Sequence, residues 1–280
     1  MDGDKTLAKS IGEQLVDIFC EIKLNFANIY IHCDAGSGST FEFEVNPKNY
    51  LKFAKKDIDS NDVRGRINAI TNAKRAIDCQ TDKILSIFKI DIDRALPQAA
   101  SEFIKLVNHK QNTGEKHNLK FIEALGIAPI SLISKVRRLR HGLEHFYKSP
   151  SKEEADEAIE LAELYINATE NKIGSLWDLI ISSSEDDKAQ IESFWSWYQE
   201  DEGAFKLHFF NKGRTNIFIK NTDIEFYFFL KICIFFDDED EISSCLSGLL
   251  KQINHPQSVL KKRLTLFALS LLTAMYACRV

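Results

Sequence analysis

The residues most able to do chemistry lie together in one short segment, residues 137–147, which reads RRLRHGLEHFY. Histidine transfers protons near neutral pH, and the arginine guanidinium carries a permanent charge and matches phosphate oxygens in shape. Arg140 and His145 could therefore cleave an RNA phosphodiester bond without a metal. They are five residues apart, roughly 140° around a helix. Cleavage usually needs two proton-transfer groups, and one histidine supplies only one. We therefore expect a symmetric homodimer, in which the second protomer contributes the second histidine.

The same segment also supports a metal interpretation. His141, Glu144 and His145 form the sequence H-x-x-E-H, which resembles the inverted zinc-protease signature. Histidines four residues apart share one face of a helix and could hold zinc. A catalytic zinc needs a third protein ligand, which the sequence does not identify, and the three arginines nearby would repel a dication. A zinc hydrolase is therefore the minor alternative, and we predict neither a metal nor another cofactor.

A purely structural interpretation of the segment remains open as well. The three arginines could form a solvated helix face that is balanced by the acidic residues which follow, and the histidines could lie at a surface or interface. The charge pattern favours a focused anion site, because Lys105–Tyr147 holds eight Lys and Arg against three Glu in a chain of net charge −5. Lys135, Arg137 and Arg138 are the residues that we expect to hold an RNA backbone.

Composition argues against a disulfide-rich secreted protein, a zinc-ribbon protein and a membrane protein. The six cysteines show no metal-ligand spacing and are predicted to be buried thiols in a reducing compartment. We expect no signal peptide, because the first residues lack an apolar segment behind a basic start. The most apolar runs, Ile224–Phe236 and Leu264–Cys278, are shorter than the roughly 18–20 residues of a membrane span. The sequence therefore predicts a cytoplasmic protein that does not enter a membrane.

Periodicity and capping signals place this segment in a mainly helical chain. Asn61 or Asp62 can cap one helix, and Ser151 with Glu154 fits a capping box at the start of another. They predict helices at 6–28, 61–90, 97–111, 118–125, 129–147 and 152–174. A β-hairpin is predicted at 29–45, around AGSGS. After SSSEDD (182–187), they predict a helix that contains Phe194, Trp195 and Trp197. Runs of alternating apolar and polar residues, typical of strands, follow at 205–210, 215–220 and 224–236. Two further helices are predicted at 240–253 and 257–277. We therefore expect a helical domain with a hairpin elaboration at 1–180 and a small α+β domain at 183–280.

The motif and its helical surroundings resemble those of HEPN domains, which carry R-[polar]-x-x-x-H before an acidic amphipathic helix. Arg140, His141 and His145 match this motif, and the resemblance covers residues 60–178, with 183–280 unrecognised. HEPN domains are antiparallel helical bundles, and many are metal-independent ribonucleases of toxin–antitoxin, phage-defence and CRISPR systems. The resemblance implies that Arg140 and His145 are catalytic and that His141 supports them. Glu144 occupies a variable position, where it could orient a histidine or pair with Arg140.

The match continues to Tyr147, in the form R-x4-H-x-Y of HEPN toxins paired with nucleotidyltransferase antitoxins. In that subgroup the tyrosine can be adenylylated, so the resemblance implies modification of Tyr147 and an antitoxin or other defence-system protein as a partner. Many HEPN domains have lost catalysis. The alternative to an endoribonuclease is therefore a catalytically silent scaffold, or a nucleotide- or RNA-binding module, in a defence or regulatory complex.

Overall fold

A computed structural model describes residues 9–37, 41–107, 116–174, 176–183, 193–210 and 215–254. Its helices are α1 (Ile11–Glu21), α2 (Pro47–Ile58), α3 (Val63–Ile87), α4 (Gln98–Val107), α5 (His117–Ala124), α6 (Ile130–Phe146), α7 (Lys152–Ile173), α8 (Ile224–Ile234) and α9 (Glu239–Gln252). Its strands are β1 (Tyr30–Ser37), β2 (Leu176–Ser182), β3 (Ser193–Gln199), β4 (Ala204–Phe209) and β5 (Thr215–Lys220). The predicted class, mainly α with a C-terminal α+β part, is confirmed.

The described residues form two compact units. The helical unit spans residues 37–176 and 200–203 and contains α2 to α7. The α+β unit takes the described residues of 1–36, 177–199 and 204–280. The first helix and strand thus lie in the α+β unit, whereas the sequence had placed them in a helical domain at 1–180. Sequence order misled the prediction because β1 joins a sheet whose other strands come much later in the chain.

The sheet of the α+β unit has the strand order β1-β2-β3-β4-β5, with β2 to β5 paired antiparallel. The hairpin predicted at 29–45 is wrong, because β1 lies beside β2 and residues 41–45 are not in a strand. Alternation of apolar and polar residues identifies a strand but does not identify its partner. Residues 38–40, in the predicted turn, lie outside the described residues.

Two further predicted elements change type in this unit. The helix predicted around Trp195 is strand β3, in which aromatic residues alternate between the two faces, as is common in strands. The run 224–236 is helix α8, whose residues are all buried. A helix that is apolar on every side has no period of 3.6 and resembles a buried strand in sequence. The predicted helix at 257–277 lies outside the described residues.

Helix α8 carries a buried acid at its first turn, Glu225. Burial is the main cause that raises the pKa of this carboxyl above the ordinary 4.5. The folded state therefore holds the proton more tightly than the unfolded state, so the charged carboxylate lowers stability increasingly as the pH rises above the ordinary value. We expect Glu225→Gln to raise the free energy of unfolding near neutral pH, and the gain to vanish near pH 4 or below.

Chemical denaturation at both pH values measures this difference. Glu202→Gln is the matched control, because Glu202 is exposed in the turn between β3 and β4. An equal response of the two variants to pH would contradict the buried-charge explanation.

In the helical unit, α3 and α7 are the longest helices and pack against each other, with α2 and α6 packing on both. Asp62 caps α3, and Ser151 and Glu154 form the predicted capping box of α7. The predicted helices α3 to α7 are confirmed with small changes at their ends, whereas α2 had not been predicted. Polar contacts also link α3 and α7 within the apolar core. The Thr81 and Tyr165 hydroxyls are 2.8 Å apart, and the Gln80 amide donates to the Thr169 hydroxyl at 2.9 Å.

The apolar runs and the cysteines were also considered in the sequence. Within the residues that the structure describes, no helix combines the length and apolar character that crossing a bilayer requires. Five of the cysteines are free thiols, and Cys233 and Cys245 are buried as predicted. Cys20 and Cys33 are instead exposed, Cys79 is half-buried, and Cys278 lies outside the described residues.

Candidate functional site

Helix α6 positions the candidate site. Ile133 and Val136 are buried, and the helix packs against α3, α5 and α7. This packing anchors the first half of α6. The motif 137–146 occupies the remaining turns, where most side chains are half-buried or exposed. The site is therefore the exposed end of a helix whose other end is fixed in the core.

The end of α6 is held in an unusual conformation. Tyr147 adopts the left-handed backbone region, with φ 53° and ψ 31°, and its N–H donates to the Gly142 carbonyl. This cap conformation is typical of glycine and costs other residues about 1–2 kcal/mol. The Tyr147 side chain is 89% exposed. Lys23, Lys89 and Asn254, just after α1, α3 and α9, adopt the same backbone region, so the exposed side chain and not the backbone distinguishes Tyr147.

The connection from α6 to α7 is tied to α3. The Arg66 guanidinium, on α3, donates through Nε to the Pro150 carbonyl oxygen at 2.8 Å. Ser151, the next residue, caps α7. The chain that follows the motif is thus fixed at both sides. Arg66 was not identified from the sequence, because 84 residues separate it from its acceptor and no local pattern links them.

Arg140 and Glu144 form an ion pair one turn apart on α6. The distance between Nη2 and Oε1 is 2.5 Å, and the Arg140 side chain is only 25% exposed. Of the two roles considered for Glu144, the structure has the one in which it pairs with Arg140. This pair neutralises the arginine in the free protein, and because such pairs are worth about 0.2–1 kcal/mol, an incoming phosphate can replace the carboxylate.

His141 and His145 lie side by side on the exposed face of α6. Their ring centroids are 4.3 Å apart, with the ring planes tilted by 44°. The His141 ring also makes an edge contact with Phe146, at 5.6 Å between centroids. The two histidines predicted to act together are thus brought together, with both rings accessible to a substrate.

The three predicted backbone-binding residues differ in their surroundings. Lys135 forms an ion pair with Glu157 of α7. Arg138 is exposed and Arg137 is half-buried. Glu157 had not been singled out, although the acidic character of the helix after the motif was evident. The pairing lowers the positive charge of this surface, so any RNA must compete with Glu157 for Lys135.

Gly142 leaves space within the motif. A Cβ atom built at this position would meet nothing within 4 Å. At 100° per residue, Gly142 lies about 60° from His145 around the helix. The backbone of α6 is therefore accessible beside the candidate catalytic histidine.

The zinc interpretation lacks a third ligand. Among the described residues, no three His, Cys, Asp or Glu side chains come together in a group that could hold a metal ion. Catalytic zinc sites use three protein ligands. His141 and His145 alone do not complete such a site, and the Glu144 carboxylate is engaged by Arg140.

The chain matches no model of a known protein family, no curated protein and no solved structure. The resemblance to HEPN domains therefore rests on the motif of α6 and on its position between long helices. The evidence about function lies in the side chains of α6 themselves.

Proposed function

We propose that this protein is a metal-independent endoribonuclease of the HEPN type, which acts in the cytoplasm as a toxin or phage-defence effector and cleaves RNA at a composite site in a homodimer. The observation that carries the proposal is the arrangement at the end of α6. There, two adjacent exposed histidines accompany an arginine that is paired with a replaceable carboxylate.

The chemistry assigns one role to each residue. A histidine accepts the proton of the ribose 2′-hydroxyl, whose oxygen attacks phosphorus, while the bond from phosphorus to the 5′-oxygen breaks. A second histidine donates a proton to the leaving 5′-oxygen. Arg140 stabilises the negative charge that develops on the phosphoryl oxygens. The products are a 2′,3′-cyclic phosphate and a 5′-hydroxyl, and no metal takes part.

The positions on α6 support the use of two copies. Arg140 and His145 point in directions roughly 140° apart around the helix, and His145 lies next to large exposed side chains. Phe146 is 63% and Tyr147 is 89% exposed. Burying these rings against the same segment of a second copy would place His145 of both protomers near one phosphate. His141, beside His145, would orient it, and Lys135, Arg137 and Arg138 would hold the RNA backbone.

The first experiment is RNA cleavage without divalent metal. Purified wild-type protein and His145→Ala are incubated with total cellular RNA and with tRNA in EDTA. Cleavage by the wild type alone, leaving 2′,3′-cyclic phosphate ends, is the expected result. Cleavage that requires added metal would overturn the proposal.

A second candidate function is a catalytically silent HEPN scaffold or RNA-binding module that joins an antitoxin or another defence protein. The specific observation in its favour is the Arg140–Glu144 ion pair, which occupies the arginine that catalysis requires. No cleavage by either protein in the first experiment, together with RNA binding in a fluorescence anisotropy measurement, would favour this function.

Glu144→Gln separates the two roles that were considered for this glutamate. Removing the carboxylate releases Arg140, so we expect RNA to bind about two- to fivefold more tightly, in line with the weak energy of a partly exposed ion pair. Binding is measured by fluorescence anisotropy with a 2′-O-methyl oligonucleotide, which lacks the attacking hydroxyl.

Glu157→Gln is the matched variant, because Glu157 pairs with Lys135 in the same way. We expect Glu157→Gln also to bind RNA more tightly, but by a smaller factor, because Lys135 lies further from the histidines along α6. Unchanged binding of Glu144→Gln together with a tenfold or greater loss of cleavage would instead show that Glu144 positions a histidine.

A further inference from the structure

The exposed pair of histidines on α6 has a second chemical property, which is affinity for transition metals. Imidazole is the commonest protein ligand for Zn²⁺, Ni²⁺ and Cu²⁺. His141 and His145 are one helical turn apart, and their ring centroids are already 4.3 Å apart. Two nitrogens that bind one ion at about 2.0–2.1 Å lie about 3 Å from each other. Small rotations of the two rings bring nitrogens to that separation.

We propose that His141 and His145 form a two-ligand site for a divalent transition-metal ion, and that an ion bound there inhibits the enzyme. The site is distinct from a catalytic zinc centre, because the described residues supply no third ligand. Water molecules would complete the coordination of the ion. The stability order of divalent ions predicts the tightest binding for Cu²⁺, followed by Ni²⁺ and Zn²⁺ at lower affinity.

The surrounding charges set the strength of this site. Arg140 lies one residue before His141, and its charge opposes a dication. The Glu144 carboxylate offsets that charge, since it is 2.5 Å from the guanidinium. Two imidazoles in partly neutralised surroundings are expected to bind an ion reversibly and more weakly than structural zinc sites with four ligands. Occupancy would therefore follow the supply of the metal.

A bound metal ion should inhibit catalysis, because it occupies the nitrogen lone pairs of the two histidines. A metal-bound imidazole nitrogen cannot accept or donate a proton. An ion held by both histidines therefore removes the groups that the proposed mechanism uses, and it blocks the open backbone surface at Gly142. The inhibitory effect rests on the proposed function, whereas binding of the ion does not. Metal is thus predicted to slow RNA cleavage and EDTA to restore it, the reverse of what a zinc hydrolase would show.

Ni²⁺ binding tests the site directly. Full-length wild type, His141→Ala, His145→Ala and His117→Ala are titrated with Ni²⁺ by calorimetry, in the presence of a phosphine reductant that keeps the cysteines reduced. His117 is the matched control, because it is an exposed histidine on another helix of the same unit, α5. All four proteins retain Cys20 and Cys33, so binding to exposed thiols is common to them.

The expected result is one Ni²⁺ site that wild type and His117→Ala share. Loss of either ligand should weaken this site at least about tenfold, which corresponds to 1.4 kcal/mol. Equal binding by all four proteins would overturn the proposed site. RNA cleavage by the wild type is measured in parallel, with Ni²⁺ and with EDTA.

The two readouts separate the metal site from the nuclease. If Ni²⁺ inhibits cleavage and EDTA restores it, the result supports both the metal site and the nuclease. If Ni²⁺ binds to the histidines and cleavage continues or increases, the inhibitory role is wrong. If Ni²⁺ binds and no RNA is cleaved under any condition, the proposed nuclease fails while the metal site stands.

Discussion

His145→Ala is expected to reduce the rate of RNA cleavage by about 10²- to 10⁴-fold, the usual contribution of a proton-transferring side chain. In a symmetric dimer the substitution removes both histidines of the composite site, which places the loss at the upper end of that range. Because the His145 side chain is exposed, the substitution should change the free energy of unfolding by no more than about 0.5 kcal/mol. Cleavage of tRNA in EDTA and chemical denaturation measure the two quantities.

His117→Ala is the control for this prediction as well, since it removes an exposed histidine of the same unit away from the motif. It should cleave at the wild-type rate. A mixture of His145→Ala and Arg140→Ala proteins, refolded together, tests the dimer separately. Recovery of part of the activity would support a site shared between two copies. Wild-type activity of His145→Ala would remove this histidine from the mechanism.

Local signals predicted helices α3 to α7 of the helical unit but not α2. Asp62 and Ser151 are polar caps whose effect is confined to the first turn of a helix, and the sequence indicates both, with Asn61 as the alternative to Asp62. The half-buried helices also show the 3.6-residue period of an apolar stripe. In the α+β unit the same signals predicted β4, β5 and α9. They failed at α8, which is buried on all sides, and at β1, which joins strands that lie far from it in sequence. A periodic pattern records exposure to solvent but not the identity of a partner.

In the candidate site as well, contacts within one helix could be predicted from the sequence, and contacts between helices could not. The proximity of His141 to His145, and of Arg140 to Glu144, follows from helical spacing and could be anticipated. The Arg66 contact with Pro150 and the Glu157 contact with Lys135 depend on how α3 and α7 pack against α6, and no local pattern contains that information. The sequence therefore indicated which residues could react, and tertiary packing determines how their surroundings are held.

Gly65→Ala is expected to destabilise the protein by about 2 kcal/mol or more, within the range of overpacking and strain in a tightly packed site. Gly65 lies in the first turn of α3, and its N–H donates to the Asp62 carboxylate at 2.6 Å. A Cβ atom there would overlap the Asp57 backbone carbonyl oxygen and the Ser60 hydroxyl. The Ser60 side chain can rotate away, but the carbonyl can move only with the end of α2.

Gly142→Ala is the matched substitution, because Gly142 is also helical but has open space around it. There alanine should stabilise the helix by about 0.5–1 kcal/mol, the normal gain over glycine. Opposite signs in urea denaturation would establish that packing of α2 on α3, and not helix propensity, determines the effect. A Gly65→Ala protein as stable as the wild type would contradict the close approach of Asp57.

Gly65→Ala should also lower activity at the candidate site. Arg66 is the next residue, and its contact with the Pro150 carbonyl fixes the chain between α6 and α7. Displacing the first turn of α3 moves this guanidinium, so cleavage by Gly65→Ala should fall at temperatures where the protein is still folded. Arg66→Ala should lower cleavage similarly while it leaves the packing of α2 intact. If Arg66→Ala cleaves normally, any loss of activity in Gly65→Ala comes from unfolding alone.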